Sequence, residues 1–133
     1  MSTPAVSYPI LPDTPVSHLP FSPVVVAGGL IFVSGQASVD ATGKIVSGTF
    51  EEEFHRSMEN VKRVLAAANS DLAHVIQTRN YVQRSADVAL FNQLYRTYFS
   101  APFPARTTIV NCLGEALLFE IEVVAVPRAA GNA

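Results

Sequence analysis

Runs of apolar and β-branched residues mark the strands of this chain. Two of these runs flank Gly28-Gly29, a pair that favours the tight turn of a β-hairpin. In the last run, one set of alternate positions is apolar throughout, as expected of a strand with one face in a core. The predicted strands cover residues 24–27, 30–34, 75–82, 106–111 and 116–126, with a short edge strand at 45–46 and a turn at Gly114.

Helical periodicity predicts two helices. Thr49 and Glu52 have the spacing of a capping box, so the first helix is expected to start there and to run to about Ala68. Ser85 is expected to cap a second helix over residues 86–100, and the prolines that follow end it. The apolar stripe of the first helix consists of Phe50, Phe54, Met58, Val61, Leu65 and Ala68.

The order of these elements predicts an α+β fold. No repeat or linker divides the chain, so residues 1–133 are expected to form one domain, with two helices on one face of a mixed or antiparallel sheet of about six strands. Six of the nine prolines lie within the first 23 residues, and residues 1–20 are therefore expected to be extended and irregular. Residues 128–133 are expected to form a disordered tail.

Composition narrows the functional classes. Hydrophobic residues make up 49% of the 133 residues and charged residues 15%, which suggests that another subunit covers part of the surface. A net charge of −2 offers no basic field for nucleic acid, and the single cysteine and three histidines lack zinc-site spacing. No apolar run reaches the roughly 20 residues of a membrane span, and no basic residue precedes Lys44 to form a targeting signal. A cytoplasmic protein is expected.

Arg106 and Glu120 are charged residues within segments that have the composition of buried strands. An unpaired buried charge is costly, so each is expected to have a partner. Arg106 could form an ion pair with Glu120 or Glu122, or its planar guanidinium could bind a ligand carboxylate in a bidentate manner. The two glutamates share one strand face, either as an ordinary solvated pair or as part of a site, and Val124 and Val126 on that face argue against solvation. The residues alone leave both questions open.

Five segments of the chain form a recognisable pattern. They are Ala27-Gly28-Gly29-Leu30-Ile31-Phe32-Val33-Ser34-Gly35-Gln36, Asn60-Val61-Lys62-Arg63-Val64-Leu65, Phe91-Asn92-Gln93-Leu94-Tyr95, Phe103-Pro104-Ala105-Arg106-Thr107 and Phe119-Glu120-Ile121-Glu122. In their order and in the gaps between them, they resemble the RidA/YjgF family of reactive-intermediate (imine and enamine) deaminases. The resemblance covers about residues 20–127. It implies a chorismate-mutase-like α+β fold, no cofactor, and a homotrimer with three sites in the clefts between its subunits.

The resemblance also implies roles for individual residues. Arg106 takes the position of the arginine that binds the substrate carboxylate. Glu120 takes that of the glutamate that activates or positions the hydrolytic water. The backbone at Ser34 and Gly35 and the side chain of Asn92 would complete the pocket.

Three positions depart from the family pattern. Phe21 stands where the family usually has a tyrosine, so the substrate-binding pocket lacks a hydroxyl, which bears on the choice of substrate more than on the type of reaction. Thr108 replaces the cysteine often found two positions after the arginine, which argues against a thiol role. Both Phe21 and Thr108 are expected to be substrate-binding residues at these positions. The loop over residues 113–116 lacks the common Leu-Pro pair.

The function implied by the resemblance is hydrolysis of small 2-imino acids, such as 2-iminopropanoate, and their enamine tautomers to 2-keto acids and ammonia. One alternative is a catabolic deaminase of an aminomuconate-like acid, which the apolar ring of Phe21 suits. Another is a non-enzymatic trimer that binds small carboxylates or acts as a holdase. A ribonuclease fits poorly with the net charge of −2. The expected partner is therefore a small carboxylate, with no nucleic acid or membrane.

Overall fold

A mixed sheet of six strands runs through residues 5–129, the part of the chain that this computed structural model describes. The strands are β1 (Val6–Ser7), β2 (Val24–Ala27), β3 (Leu30–Ala37), β4 (Val75–Val82), β5 (Ala105–Val110) and β6 (Phe119–Ala125). Their order across the sheet is β1-β2-β3-β6-β4-β5, and all neighbours are antiparallel except β4 and β5. The sheet therefore has β6 between two partners and β5 at an edge.

Two helices, α1 (Phe50–Ala67) and α2 (Val88–Tyr95), pack on one face of the sheet. Phe54 of α1, Phe91 of α2 and Phe119 of β6 are fully buried together. The ring centroid of Phe119 lies 4.8 Å from that of Phe54 and 5.7 Å from that of Phe91. This contact joins both helices to β6, and the predicted two-layer α+β arrangement is confirmed. No helix within residues 5–129 has the length and apolar character needed to cross a membrane.

The first helix begins as its sequence indicates. The Thr49 side chain accepts the N–H of Glu52, and the Glu52 carboxylate accepts the N–H of Thr49 at 2.8 Å, which completes the predicted capping box. The next residue, Glu53, is buried, and its carboxylate accepts the N–H groups of Leu118 at 2.9 Å and of Gly48 at 3.3 Å. Because β6 starts one residue after Leu118, Glu53 ties the start of that strand to α1.

The hairpin between β2 and β3 confirms the prediction at Gly28-Gly29. Both glycines have positive φ angles, 60° and 76°, as a two-residue primed turn requires. The second strand of the hairpin continues beyond residue 34, where the predicted strand ended, to Ala37. It does so because β3 also pairs with β6 on its other side.

The second helix is shorter than predicted, and Ser85 does not cap it. Ser85 instead begins a short 3-10 turn without a side-chain cap, and α2 starts at Val88. At its other end, the Thr97 hydroxyl and backbone N–H both donate to the Leu94 carbonyl, at 2.6 Å and 3.0 Å. These bonds over three residues replace the helical bonds over four, so the helix ends at Tyr95 and turns follow.

Predictions for the periphery also need correction. Within residues 1–20, expected to be irregular, Val6–Ser7 form β1 because β2 offers an open edge for pairing. The edge strand expected at residues 45–46 is reduced to one bridge between Val39 and Ile45. Arg128, where a disordered tail was expected to begin, is bound to the fold, since its N–H donates to the Asn69 carbonyl at 2.9 Å. Residues 1–4 and 130–133 lie outside the described residues.

Candidate active site

Arg106 lies on the edge strand β5, on the face that carries the helices. Its register partner on β4 is Thr78, whose buried side chain also faces the helices. The guanidinium carbon of Arg106 lies over two rings of α2, 5.1 Å from the centroid of Phe91 and 4.9 Å from that of Tyr95. The expectation that Arg106 is buried is wrong for the single chain: it is exposed because an edge strand has a neighbour on one side only.

The position of Arg106 leaves its charge without an acidic partner. Stacking occupies the flat faces of a guanidinium and leaves its N–H edge free to donate. None of the ion pairs within residues 5–129 includes Arg106. This side chain opens on a cavity of about 250 Å³ lined by Asn92, Tyr95, Arg96, Phe103, Pro104 and Arg106. We call it the basic cavity.

The ring beneath Arg106 is held by a buried polar chain. The Tyr95 hydroxyl and Thr78 Oγ1 lie 2.9 Å apart, and Asn80 Nδ2 donates to the same Thr78 oxygen at 3.0 Å. Burial raises the pKa of the Tyr95 hydroxyl, which therefore stays protonated at neutral pH. The guanidinium thus lies on a neutral ring of fixed orientation.

Glu120 lies on β6, on the face of the sheet that the helices leave open. Along β6 buried residues alternate with half-buried ones, and Glu120 and Glu122 belong to the half-buried set, as predicted for the shared strand face. With Phe21, Ser34 and Gly35, both glutamates line a second cavity, of about 600 Å³. We call it the acidic cavity. A β-carbon at position 35 would lie 2.2 Å from Glu120 Oε2, so only glycine there lets the carboxylate take this position.

A β-bulge shapes the wall next to Glu120. Val33 pairs with Val123, but the next pair joins Gln36 to Ile121, so β3 has one residue more than β6 across this step. The additional residue of β3 lies within Ser34-Gly35. The Ser34 hydroxyl donates to the Ser22 carbonyl at 2.6 Å and so holds the segment that carries Phe21 against the cavity.

The electrostatics of the acidic cavity shift the pKa of Glu120. Burial, and secondarily the charge of Glu122, raise the pKa of the Glu120 carboxyl. Glu122 is itself held by Tyr81, whose hydroxyl donates to its carboxylate, and by Arg79, whose Nη1 lies 3.5 Å from Glu122 Oε2. The bond to Glu122 raises the pKa of Tyr81 to about 12, so Tyr81 remains a donor.

Arg106 and Glu120 face opposite sides of the sheet in one chain. Arg106 pairs with Thr78, which faces the helices, whereas Glu120 pairs with Tyr81, on the open face of the same strand. The suggested ion pair between Arg106 and either glutamate is therefore absent from the described chain. Each chain instead carries the basic cavity and the acidic cavity on opposite faces of its sheet.

The remaining candidate, Thr108, lines neither cavity. Thr108 is half-buried as a residue, but its Oγ1 is buried and has no hydrogen-bond partner within the described residues, and the same holds for Oδ1 of its register partner Asn80. Sequence reasoning missed Arg96 in the basic cavity and Tyr81 beside the acidic one. A signal for Arg96 was available, because it follows Asn92 by four residues on a predicted helix and such residues share a face. No local signal marked Tyr81.

These features define a class of protein: a two-layer α+β domain of the chorismate-mutase-like type, with a basic and an acidic cavity on opposite faces of its sheet. Comparison with known sequences assigns the family within that class. The family described as Endoribonuclease L-PSP matches residues 12–127, so the chain belongs to it, and this is the RidA/YjgF family that the motifs resemble.

Two relatives illustrate the range of names in this family. A RutC family protein of Pyrococcus horikoshii is 36% identical over 108 residues, which are 80% of this chain and 86% of that protein. The human 2-iminobutanoate/2-iminopropanoate deaminase is 34% identical over 109 residues, or 80% of each chain. The family thus includes a protein named as an imine deaminase.

Solved structures agree with the fold. Yeast Mmf1 superposes with a TM-score of 0.85 at 27% identity, covering 93% of this chain and all of that one. E. coli TdcF, solved with bound serine, gives a TM-score of 0.79 at 27% identity over 90% of this chain and 98% of that one. The predicted fold class is therefore confirmed.

Proposed function

We propose that this protein hydrolyses small 2-imino acids and their enamine tautomers to 2-keto acids and ammonia. The observation that carries the proposal is the Arg106 guanidinium, fixed over Phe91 and Tyr95 with no acidic partner among the described residues. Such a group suits a substrate carboxylate. The serine bound to E. coli TdcF is a small amino acid with a carboxylate of this kind, and the similarity to the human deaminase supports the reaction type.

The proposal requires two chains at each site, because Arg106 and Glu120 lie on opposite faces of one sheet. In the proposed homotrimer, the basic cavity of one chain adjoins the acidic cavity of the next. The open sheet face supports such an assembly, since Phe32 and Ile109 there are 44% and 43% exposed and Val124 lies beside Phe32. An apolar face of this kind is typical of a surface covered by another subunit.

The reaction uses an acid–base group beside a fixed carboxylate. Arg106 binds the substrate carboxylate and turns C2 toward a water near Glu120. Glu120 accepts a proton as the water oxygen bonds to C2 and the C=N bond becomes single. It returns the proton to the nitrogen, which gives a carbinolamine, and then transfers the proton of the new hydroxyl to the same nitrogen. The C–N bond breaks, and ammonia leaves as the carbonyl forms. Imine and water thus give keto acid and ammonia, and these steps call for no cofactor.

The test supplies 2-iminopropanoate from a serine dehydratase and follows the release of pyruvate. Glu120→Gln is expected to lower kcat about 100-fold, since it removes the acid–base group. Arg106→Met is expected to raise KM at least about tenfold, since it removes a bidentate charged contact. Arg63→Met and Glu115→Gln, which alter charges outside both cavities, serve as controls. A rate of pyruvate release with the wild type equal to the rate in buffer alone would contradict the proposal.

A non-enzymatic carboxylate binder would need the basic cavity but not Glu120. Glu120→Gln therefore separates the two functions when pyruvate binding is measured beside turnover. Loss of turnover with binding retained supports the deaminase. Binding without turnover in the wild type would instead favour the binder, or a holdase that uses the apolar face.

A further inference from the structure

We infer that the basic cavity selects 2-imino acids with a second anionic group at the far end of the chain, and that Arg96 recognises that group. The inference rests on the proposed function, because it takes Arg106 as the site of the first carboxylate. It goes further by assigning a substrate class, the 2-imino dicarboxylic acids, and a residue that determines specificity.

The charge of the basic cavity suits a ligand with two anionic groups. The cavity is lined by two guanidinium groups, those of Arg96 and Arg106, and by no carboxylate. Arg96, like Arg106, takes part in none of the ion pairs within residues 5–129. Two unpaired cations in one small cavity repel each other. A ligand with an anionic group at each end would relieve that repulsion, whereas a monocarboxylate would neutralise only one charge.

The position of Arg96 follows from the geometry of α2. Arg96 comes directly after the helix and four residues after Asn92, so both side chains lie on the face that lines the cavity. The only hydrogen bond of the Arg96 side chain within the described residues runs from Nη1 to the Asn92 carbonyl at 3.4 Å. This long contact leaves most of the Arg96 donors available.

The size and the walls of the cavity suit a short carbon chain between two acidic groups. About 250 Å³ corresponds to roughly eight water molecules at ~30 Å³ each, which exceeds the volume of a three-carbon imino acid. Tyr95, Phe103 and Pro104 supply apolar walls. A chain of methylene or vinyl carbons could lie along these walls, with one carboxylate on Arg106 and the other toward Arg96.

A purely structural role for Arg96 makes a different prediction. A cation at a helix C-terminus interacts favourably with the helix dipole. If that were its whole role, replacing Arg96 would lower the thermal stability and leave the choice between substrates unchanged. The ratio of kcat/KM values for two substrates therefore separates the roles.

The test compares 2-iminoglutarate with 2-iminopentanoate, made from glutamate and norvaline by amino-acid oxidases. The two imines have the same chain length and differ in the terminal carboxylate. The wild type is expected to have the higher kcat/KM for 2-iminoglutarate. Arg96→Met is expected to lower the ratio of the two values about tenfold, and Arg96→Lys to restore part of it, because lysine keeps the charge but not the planar fork. Arg63→Met, at an exposed arginine of α1, should keep the ratio.

A binding experiment distinguishes failure of this inference from failure of the proposed function. Calorimetry measures the affinities of 2-oxoglutarate and 2-oxopentanoate for the wild type and Arg96→Met. Tighter, Arg96-dependent binding of 2-oxoglutarate without turnover of either imine would support Arg96 recognition and overturn the deaminase. Equal wild-type kcat/KM values, or a ratio that Arg96→Met leaves unchanged, would overturn the inference and leave the deaminase standing. No turnover and no Arg96-dependent difference in binding would overturn both.

Discussion

The two proposed half-sites, the basic cavity and the acidic cavity, hold residues of opposite charge in different ways. Arg106 lies on an edge strand, is exposed, and is fixed by two aromatic rings rather than by an acid. Glu120 lies on an inner strand, is half-buried, and is surrounded by groups that favour its neutral form. Because the sheet separates them, neither charge cancels the other within a chain. Two residues that would form an inert ion pair on one face are thus each left free to act on a ligand.

Gly35→Ala is expected to have the largest effect, because it should impair the acidic half-site and leave the basic one intact. The added β-carbon would lie 2.2 Å from Glu120 Oε2 and must displace that carboxylate. Since a misplacement of about 1 Å can cost about 100-fold in rate, kcat should fall to that extent while pyruvate still binds at Arg106. Steady-state kinetics measures the loss of kcat, and calorimetry on the same protein measures the binding of pyruvate. Gly114→Ala, at a glycine with a φ of 73° outside both cavities, strains the backbone without meeting any side chain and serves as the control for a general loss of stability. Full activity in Gly35→Ala would show that the position of Glu120 is unimportant.

A smaller effect is expected in the basic half-site from Tyr95→Leu. This change removes one ring beneath Arg106 and should raise KM about fivefold, in line with the strength of a cation–π contact, with less effect on kcat. Tyr95→Phe keeps the ring and loses the bond to Thr78, so it should keep KM while the free energy of unfolding falls by about 1 kcal/mol. Steady-state kinetics and urea denaturation provide both values. Equal KM values in Tyr95→Leu and the wild type would contradict the role given to the ring.

The smallest effect expected is a shift in pH dependence. Glu120 must lose its proton to act as a base, so kcat/KM should fall as the pH drops through the pKa of this carboxyl. Glu122 is one of the causes that raise that pKa, and Glu122→Gln, which can still accept the Tyr81 hydroxyl, should therefore lower it. The acidic limb of the pH profile is expected to move to lower pH, whereas Glu115→Gln should leave it in place. A move to higher pH would contradict the proposed electrostatics.

The parts of the fold that were predicted correctly carry local signals. Gly28-Gly29 marks its own turn, and Thr49 with Glu52 forms the start of α1 within four residues. The strand β1 could not be predicted in this way, because Val6 and Ser7 are strand residues only through pairing with β2. The early end of α2 depends on bonds from Thr97 to Leu94 that compete closely with helical ones.

The candidate site was predictable as a set of residues but not as an arrangement. Alternation along β6 places Glu120 and Glu122 on one face, and alternation along β5 does the same for Arg106 and Thr108. Neither pattern says which face turns toward the helices, since that depends on pairing with β4. For this reason the sequence could not decide between an ion pair and two separate half-sites, or detect that Gly35 makes room for Glu120.

The shared site is tested most directly by mixing two variants, each impaired in one half-site, and assaying them at a substrate concentration below KM. Arg106→Met keeps the acidic half-site, and Glu120→Gln keeps the basic one. If each site combines the two halves from neighbouring chains, unfolding an equal mixture and refolding it together should give intact sites at about a quarter of the interfaces, with about a quarter of the wild-type rate. Each variant refolded alone should keep at most about a tenth of the wild-type rate, because Arg106→Met raises KM at least about tenfold and Glu120→Gln lowers kcat further. A mixture no more active than the sum of its parents, in protein shown to have exchanged chains, would contradict the shared site.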